Sequence, residues 1–204
     1  DWSVANGIQV VNMSLGANSE APGVHDAVKN AYNAGVVLVA AAGNSGNCGG
    51  KGNNVNYPAR YDEVVAVGAT DKNDARPCFS STGDQVELAA PGVSVLSTVI
   101  GGGYAAYSGT SMASPHVAGT AALVLANGNL TDQDGNGTVN NIDLRLWLRK
   151  TADDLGPTGK DKKYGFGLVN ALAATPFFGP VNNAPSVSIT SPANGSSFES
   201  GSII

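Results

Sequence analysis

From Val36 to Ala42 the chain reads Val-Val-Leu-Val-Ala-Ala-Ala, with no polar side chain in seven positions. A strand with one face in water alternates apolar and polar residues. A run that is apolar throughout therefore fits a strand buried on both faces, as in a parallel sheet sandwiched between helices. Neighbouring segments fit the same scheme. Trp2, Ala5 and Ile8 suit the end of a helix entering a strand, and Ile8 to Leu15 suits a strand that stops at Gly16. Val24, Ala27, Val28 and Ala31 recur at helical spacing, with Gly35 just past the helix end. Glu63 to Ala69, Val86 to Ala90 and Val93 to Thr98 predict further strands, the last two parted by the turn Pro91-Gly92. A small-residue helix is predicted from Ser111 to Ala126 and another from Ile142 to Thr151, with Leu144, Leu146 and Leu148 along it. The fold class expected is α/β, three layers deep, with a mostly parallel sheet between helices.

Beyond the first long helix the character changes. Residues 127–141 and 153–163 are polar loops, 176–185 reads as a linker, and Ser186 to Ile189 alternates before the turn signal Pro192-Ala-Asn-Gly195. The expected domains are thus 1–175, a linker at 176–185, and the start of a β-sandwich module of Ig-like type at 186–204. The net charge of −5 argues against a nucleic-acid partner, which calls for a basic face. No apolar stretch approaches the roughly 18 residues of a membrane span. Cys48 and Cys78 are an even count in a loop-rich setting. They read either as a disulfide in an exported protein or as two free thiols, and neither has a second Cys or His at metal-ligand spacing.

The stretch Gly109-Thr-Ser-Met-Ala-Ser-Pro-His-Val-Ala-Gly119 carries the chemistry. A serine at a helix N-terminus faces unpaired backbone N–H groups, which can hold the oxyanion formed when its hydroxyl attacks a carbonyl. Taken alone, a Thr-Ser pair here is more simply the N-cap of a buried helix. The whole string, however, resembles the active-site serine signature of the subtilisin-like serine proteases, and it does not stand alone. Val11 to Gly16 resembles that family's substrate-binding strand, and Ala40-Ala-Ala-Gly-Asn-Ser45 resembles its oxyanion-hole segment. Tyr57 to Tyr61, Val67-Gly-Ala69, Phe79-Ser-Ser81, Ala89-Ala-Pro-Gly92 and Tyr164-Gly-Phe-Gly167 with Val169-Asn-Ala171 follow in the family's order, so the likeness covers roughly residues 1–175.

The resemblance implies a serine endopeptidase of broad specificity acting on polypeptides, secreted or displayed at the cell surface, and monomeric. It makes Ser111 the nucleophile and Asn44 the side-chain donor to the oxyanion. Ser14, Leu15 and Gly16 would pair with the extended substrate backbone. Ala41, Ala42 and Gly43 would wall the primary specificity pocket, with Asn56 at its floor where a small residue is common. A second, weaker cation site is implied at the carbonyls of Ala59, Tyr61 and Val64. The rival expectation is a non-catalytic subtilase that binds peptides or acts as a scaffold.

In this family the acid and base precede the serine in the order Asp, His, Ser. His116 lies five residues beyond Ser111, about 140° around a helix, and should face away from it. His25 has Asp26 as a solvated neighbour. Neither suits the catalytic base, so the chain is expected to be the C-terminal part of a catalytic domain, inactive and poorly soluble alone. An α/β-hydrolase elbow fails, because Ala113 stands where Gly-x-Ser-x-Gly needs its last glycine and no suitable His follows.

Asp132 to Asp143 is a twelve-residue loop with oxygen side chains at positions 1, 3, 5, 9 and 12: Asp132, Asp134, Asn136, Asn140 and Asp143. Gly137 falls at the sharp turn, and Thr138 would offer its carbonyl. This is the EF-hand ligand pattern, closed by Asp where Glu is usual. The loop is expected to bind a structural calcium. Its plain alternative is a polar turn.

Overall fold

The computed structural model describes residues 1–176. The β-sandwich segment expected at 186–204, and the linker beyond Pro176, lie outside the described residues. The elements are α1 (Trp2–Ala5), β1 (Val10–Met13), α2 (Pro22–Asn33), β2 (Val37–Ala41), β3 (Val64–Thr70), β4 (Val86–Pro91), β5 (Val95–Thr98), β6 (Tyr104–Tyr107), α3 (Thr110–Asn127), α4 (Asn141–Lys150) and α5 (Ala171–Ala174).

Strands β1 to β4 form one parallel sheet in the order β1-β2-β3-β4. All five residues of β2 and all seven of β3 are buried. Alternate side chains explain why: Val37 and Val39 enter a core with Ala113, Val117, Ala121 and Val124 of α3, while Val36, Leu38 and Ala40 enter a second core with Val28 and Ala31 of α2. The continuous apolar run is thus two alternating patterns interleaved, one for each covered face. Leu88, fully buried in β4, contributes on the order of 1.5–3 kcal/mol by its burial.

Three expectations need correction. Strand pairing in β1 ends at Met13, so Ser14 and Leu15 run past the sheet. Val24 is 47% exposed, because the buried positions of α2 begin at Val28, one turn later. Val95 to Thr98 pairs antiparallel with the unforeseen strand β6, and the two form a separate hairpin.

Helix α4 is fastened to the sheet by charge. Glu87, on β4 and 2% exposed, accepts from Arg145 Nε at 2.7 and 3.0 Å, from Arg145 Nη2, and from Arg149 Nε at 2.8 Å. Burial opposes ionisation of this carboxyl, but the bonds and charge of Arg145, then those of Arg149, outweigh it and hold the group below its usual range. Arg145 also donates to Asp62 O at 2.6 Å and to Val64 O at 3.3 Å. A side-chain cation therefore already sits on one of the carbonyls expected to hold a second metal ion.

Candidate active site

The sheet and α3 meet where β2 ends. Thr110, the first residue of α3, donates from its N–H to Asn44 Oδ1 at 2.9 Å and from its hydroxyl to the same oxygen at 3.0 Å. Gly43 N–H in turn donates to Thr110 Oγ1 at 3.0 Å. Two donors on one atom define the amide's orientation: that atom must be the oxygen, and Nδ2 has no acceptor among the described residues. A Cβ on Gly109 would lie 3.3 Å from Nδ2, so the amide rests directly beside the turn that leads to Ser111.

Ser111 is half-buried in the first turn of α3, where backbone N–H groups lack intrahelical partners. Its Oγ donates to Ser14 O at 3.3 Å. Its own carbonyl is freed for another use, because Pro115, four residues on, has no N–H to give it. Ser14 Oγ takes that carbonyl at 2.8 Å and lies 3.0 Å from Ser114 Oγ. The segment Ser14–Gly16 is thereby fixed against α3 with its residues exposed.

Asn56 lies between the segments Ser14–Gly16 and Ala41–Gly43, of which Ala41 and Ala42 are buried. Asn56 N–H donates to Ala42 O at 2.8 Å, and the next residue, Tyr57, exchanges both backbone bonds with Ala17. Its side chain lies so close to Gly43 that a Cβ there would be 1.9 Å from Asn56 Oδ1, while a Cβ on Gly16 would be 3.1 Å from Asn56 Cβ. Asn56 Nδ2 donates to Asn18 Oδ1 at 2.7 Å. A polar amide therefore lies between Gly16 and Gly43.

Among the described residues, neither histidine is hydrogen-bonded to Ser111. His25 Nδ1 lies 3.0 Å from Glu20, Nε2 lies 3.3 Å from Glu63, and the ring stacks on Tyr61 at 3.9 Å. His116 Nδ1 donates to Met112 O at 2.8 Å. His116 nevertheless shares an open groove of about 340 Å³ with Ser111, lined also by Leu96, Met112 and Pro115. The helical angle alone predicted opposite faces, but the groove follows α3 far enough to touch both.

Cys48 and Cys78 are joined by a disulfide. In the loop before α4, carboxylate oxygens of Asp132, Asp134 and Asp143 lie within 4.8 Å of one another. Backbone N–H groups of Gly137 and then Gly135 donate to Asp132, holding its carboxyl below the usual range. Asn136 Oδ1 accepts from Thr138 N at 2.8 Å. Asn140 Oδ1 instead accepts from Ile142 N at 2.7 Å as the N-cap of α4, and Asp143 completes a capping box by accepting from Asn140 N at 2.8 Å. Asn140 and Asp143 thus end the loop and begin the helix at once. The donors gathered are hard oxygens of the kind calcium takes.

Sequence reasoning overlooked Arg76, whose guanidinium donates to four backbone carbonyls beside the Asn44 loop. No local motif marks such a contact. No helix among the described residues is long and apolar enough to cross a membrane.

A model of the subtilase family matches residues 1–167. The chain is 48% identical over 173 residues to the minor extracellular protease Epr of Bacillus subtilis, covering 85% of this chain and 25% of that protein. It is 47% identical over 174 residues to subtilisin DY of Bacillus licheniformis, covering 85% and 59%. It is 46% identical over 175 residues to subtilisin Savinase of Lederbergia lenta, covering 86% and 59%. The chain thus spans between a quarter and about three fifths of the length of these relatives.

Proposed function

Because the chain belongs to the subtilase family, we propose that it supplies the nucleophile, oxyanion hole and substrate strand of a secreted serine endopeptidase. The observation that carries this reading is the pinning of Asn44 Oδ1 by Thr110, which leaves Nδ2 beside Gly109, two residues before Ser111. On this reading Ser111 Oγ attacks the scissile carbonyl of a polypeptide. The developing oxyanion is held by Asn44 Nδ2 and by the N–H of Ser111 at the start of α3. The amine half of the substrate leaves, and water then releases the acyl group from Ser111 Oγ. Ser14, Leu15 and Gly16 receive the extended substrate main chain, which accounts for broad specificity, since main-chain pairing ignores side-chain identity. Ala41, Ala42 and Gly43 wall the pocket for the residue before the cut, and Asn56 makes that pocket shallow and polar at its floor.

Serine is a weak nucleophile without a base. His25 is engaged by two glutamates and His116 by a backbone carbonyl, so we assign the base and its orienting acid to a segment upstream, in the order Asp, His, Ser. The chain by itself would be inactive. Residues 1–175 would be the C-terminal part of the peptidase domain, followed by a linker at 176–185 and a β-sandwich module from 186. The Cys48–Cys78 bridge suits an exported protein, and we take the protein to be monomeric as the resemblance implies.

Asp132, Asp134, Asn136 and Asp143, with Thr138 through its carbonyl, would hold a calcium ion. Asn140 would contribute only as far as its capping role permits. The ion would offset most of the repulsion among three converging carboxylates and stiffen the approach to α4, with no part in the chemistry.

The test of the catalytic reading is Asn44→Ala in the protein with its upstream segment present. The expected outcome is a fall in kcat of about 10²–10³ with KM nearly unchanged, the size of the effect being that known for the corresponding donor in subtilisin. An unaltered kcat would remove Asn44 from the mechanism.

A further inference from the structure

The loop that carries Asn44 is fastened along its length to residues 77–81, with one further bond from Asn54 Nδ2 to Ser45 O. Gly43 O accepts from Ser81 N at 2.9 Å, Ser45 N donates to Ser81 Oγ at 3.3 Å, and Gly46 N donates to Phe79 O at 2.8 Å. The approach is so close that a Cβ on Gly46 would lie 2.1 Å from Ser80 O. The disulfide joins Cys48 to Cys78 at the far end. The partner segment is itself anchored, since Ser80 is fully buried and its Oγ accepts from Ala69 N of β3 at 2.9 Å.

Arg76 closes this assembly. Its Nη1 donates to the carbonyls of Pro77, Cys78 and Ser80, and its Nη2 donates to Asn47 O on the facing loop. Four carbonyl oxygens thus surround one planar cation, three sharing the two N–H groups of Nη1 and one at Nη2, so its two amino groups span both segments, which the single nitrogen of a lysine ammonium does not. Asn44 and Ser45 are exposed, so packing does little to hold them. The backbone position of Asn44 is set by this zipper on one side and by Thr110 on the other.

We propose that Arg76, together with the Cys48–Cys78 bridge, is a positioning residue for the oxyanion donor, clamping the Asn44–Cys48 loop onto residues 77–81 so that Asn44 Nδ2 stays aimed beside Ser111. The inference rests on the protease reading above. It places Arg76 outside the reacting atoms and makes its effect pass through Asn44. Catalysis is sensitive to such displacement, because a shift of about 1 Å can lower a rate on the order of 100-fold.

The experiment is a double-mutant cycle in the protein with its upstream segment present, assayed on a peptide anilide well below the melting temperature of each variant. Arg76→Met is expected to lower kcat about tenfold, a fraction of the roughly 10²–10³ supplied by the whole donor, with KM changed less than about twofold. In an Asn44→Ala background the same substitution is expected to change kcat less than about twofold, because nothing remains to be positioned. The pair Cys48→Ser with Cys78→Ser should behave alike, with a smaller loss. Equal losses in both backgrounds would show that Arg76 only supports the fold, and an unchanged kcat would show that it does nothing; either overturns the inference. If Arg76→Met does not fold, Arg76→Lys, which keeps the charge and loses the fork, carries the same cycle. A parent that cleaves nothing refutes the protease reading and the inference with it. An active parent with an additive cycle refutes the inference alone.

Discussion

Replacing Glu87 by Gln tests whether the buried ion cluster holds α4 to the sheet. The substitution keeps the side chain's shape but removes the charge that faces Arg145 and Arg149. Glu87 is 2% exposed, so water cannot take over its role. Breaking a buried pair from one side costs about 3–5 kcal/mol. In a domain of this size about 1 kcal/mol moves the melting temperature by about 2–4 °C, so the expected drop is about 6–20 °C at pH 7. The pH dependence gives a second signature. The folded-state carboxyl of Glu87 titrates below its usual value of 4.5. Its stabilising contribution is therefore present above that value and lost as pH falls through the lower, folded-state value. The gap between parent and Glu87→Gln should be widest at neutral pH and narrow in acid. Scanning calorimetry at several pH values, in a Ser111→Ala background to prevent self-digestion, measures both. A drop below about 3 °C at pH 7, or a gap that does not narrow in acid, would show that the cluster does not hold α4 to the sheet.

Other outcomes follow from single sites. Asp132→Ala with Asp134→Ala should abolish any rise in melting temperature on adding calcium, while leaving the calcium-free melting temperature nearly unchanged; calorimetry with and without chelator checks it. Asn56→Gly should deepen the pocket between Gly16 and Gly43 and raise kcat/KM for substrates with a large aromatic residue before the cut by about tenfold or more, measured against a small-residue competitor. Gly165→Ala should destabilise by about 2–3 kcal/mol, because its φ of +65° is strained for alanine and the new methyl would lie 2.2 Å from the backbone of Glu87. Chemical denaturation reads that loss directly.

The strands that form the centre of the sheet were legible because burial on both faces leaves a mark that water-facing strands lack. Strand β6 was not legible: Tyr104-Ala-Ala-Tyr107 follows three glycines, shows no alternation, and is mostly exposed. Helix α5, four residues long, was too short to show a period. At the site, Ser111, Asn44 and the Ser14–Gly16 segment were read from contiguous motifs, and the fold brings them together. Residues whose roles depend on distant backbone were hidden. Arg145 on the Val64 carbonyl and Arg76 on four others act through atoms that every residue possesses, so nothing in the sequence distinguishes them. Asn140 shows a different limit, since one side chain fits both a metal-ligand position and a helix cap, and the structure spends its oxygen on the cap.

On the proposed function, Ser111 becomes a reactive nucleophile once a base is supplied. The protein with its upstream segment present should take up one fluorophosphonate per molecule, and peptide mapping should place the label on Ser111. Ser111→Ala should take up none, and residues 1–204 alone should label far more slowly. Failure of the extended protein to label, or a label on any other residue, would contradict the account.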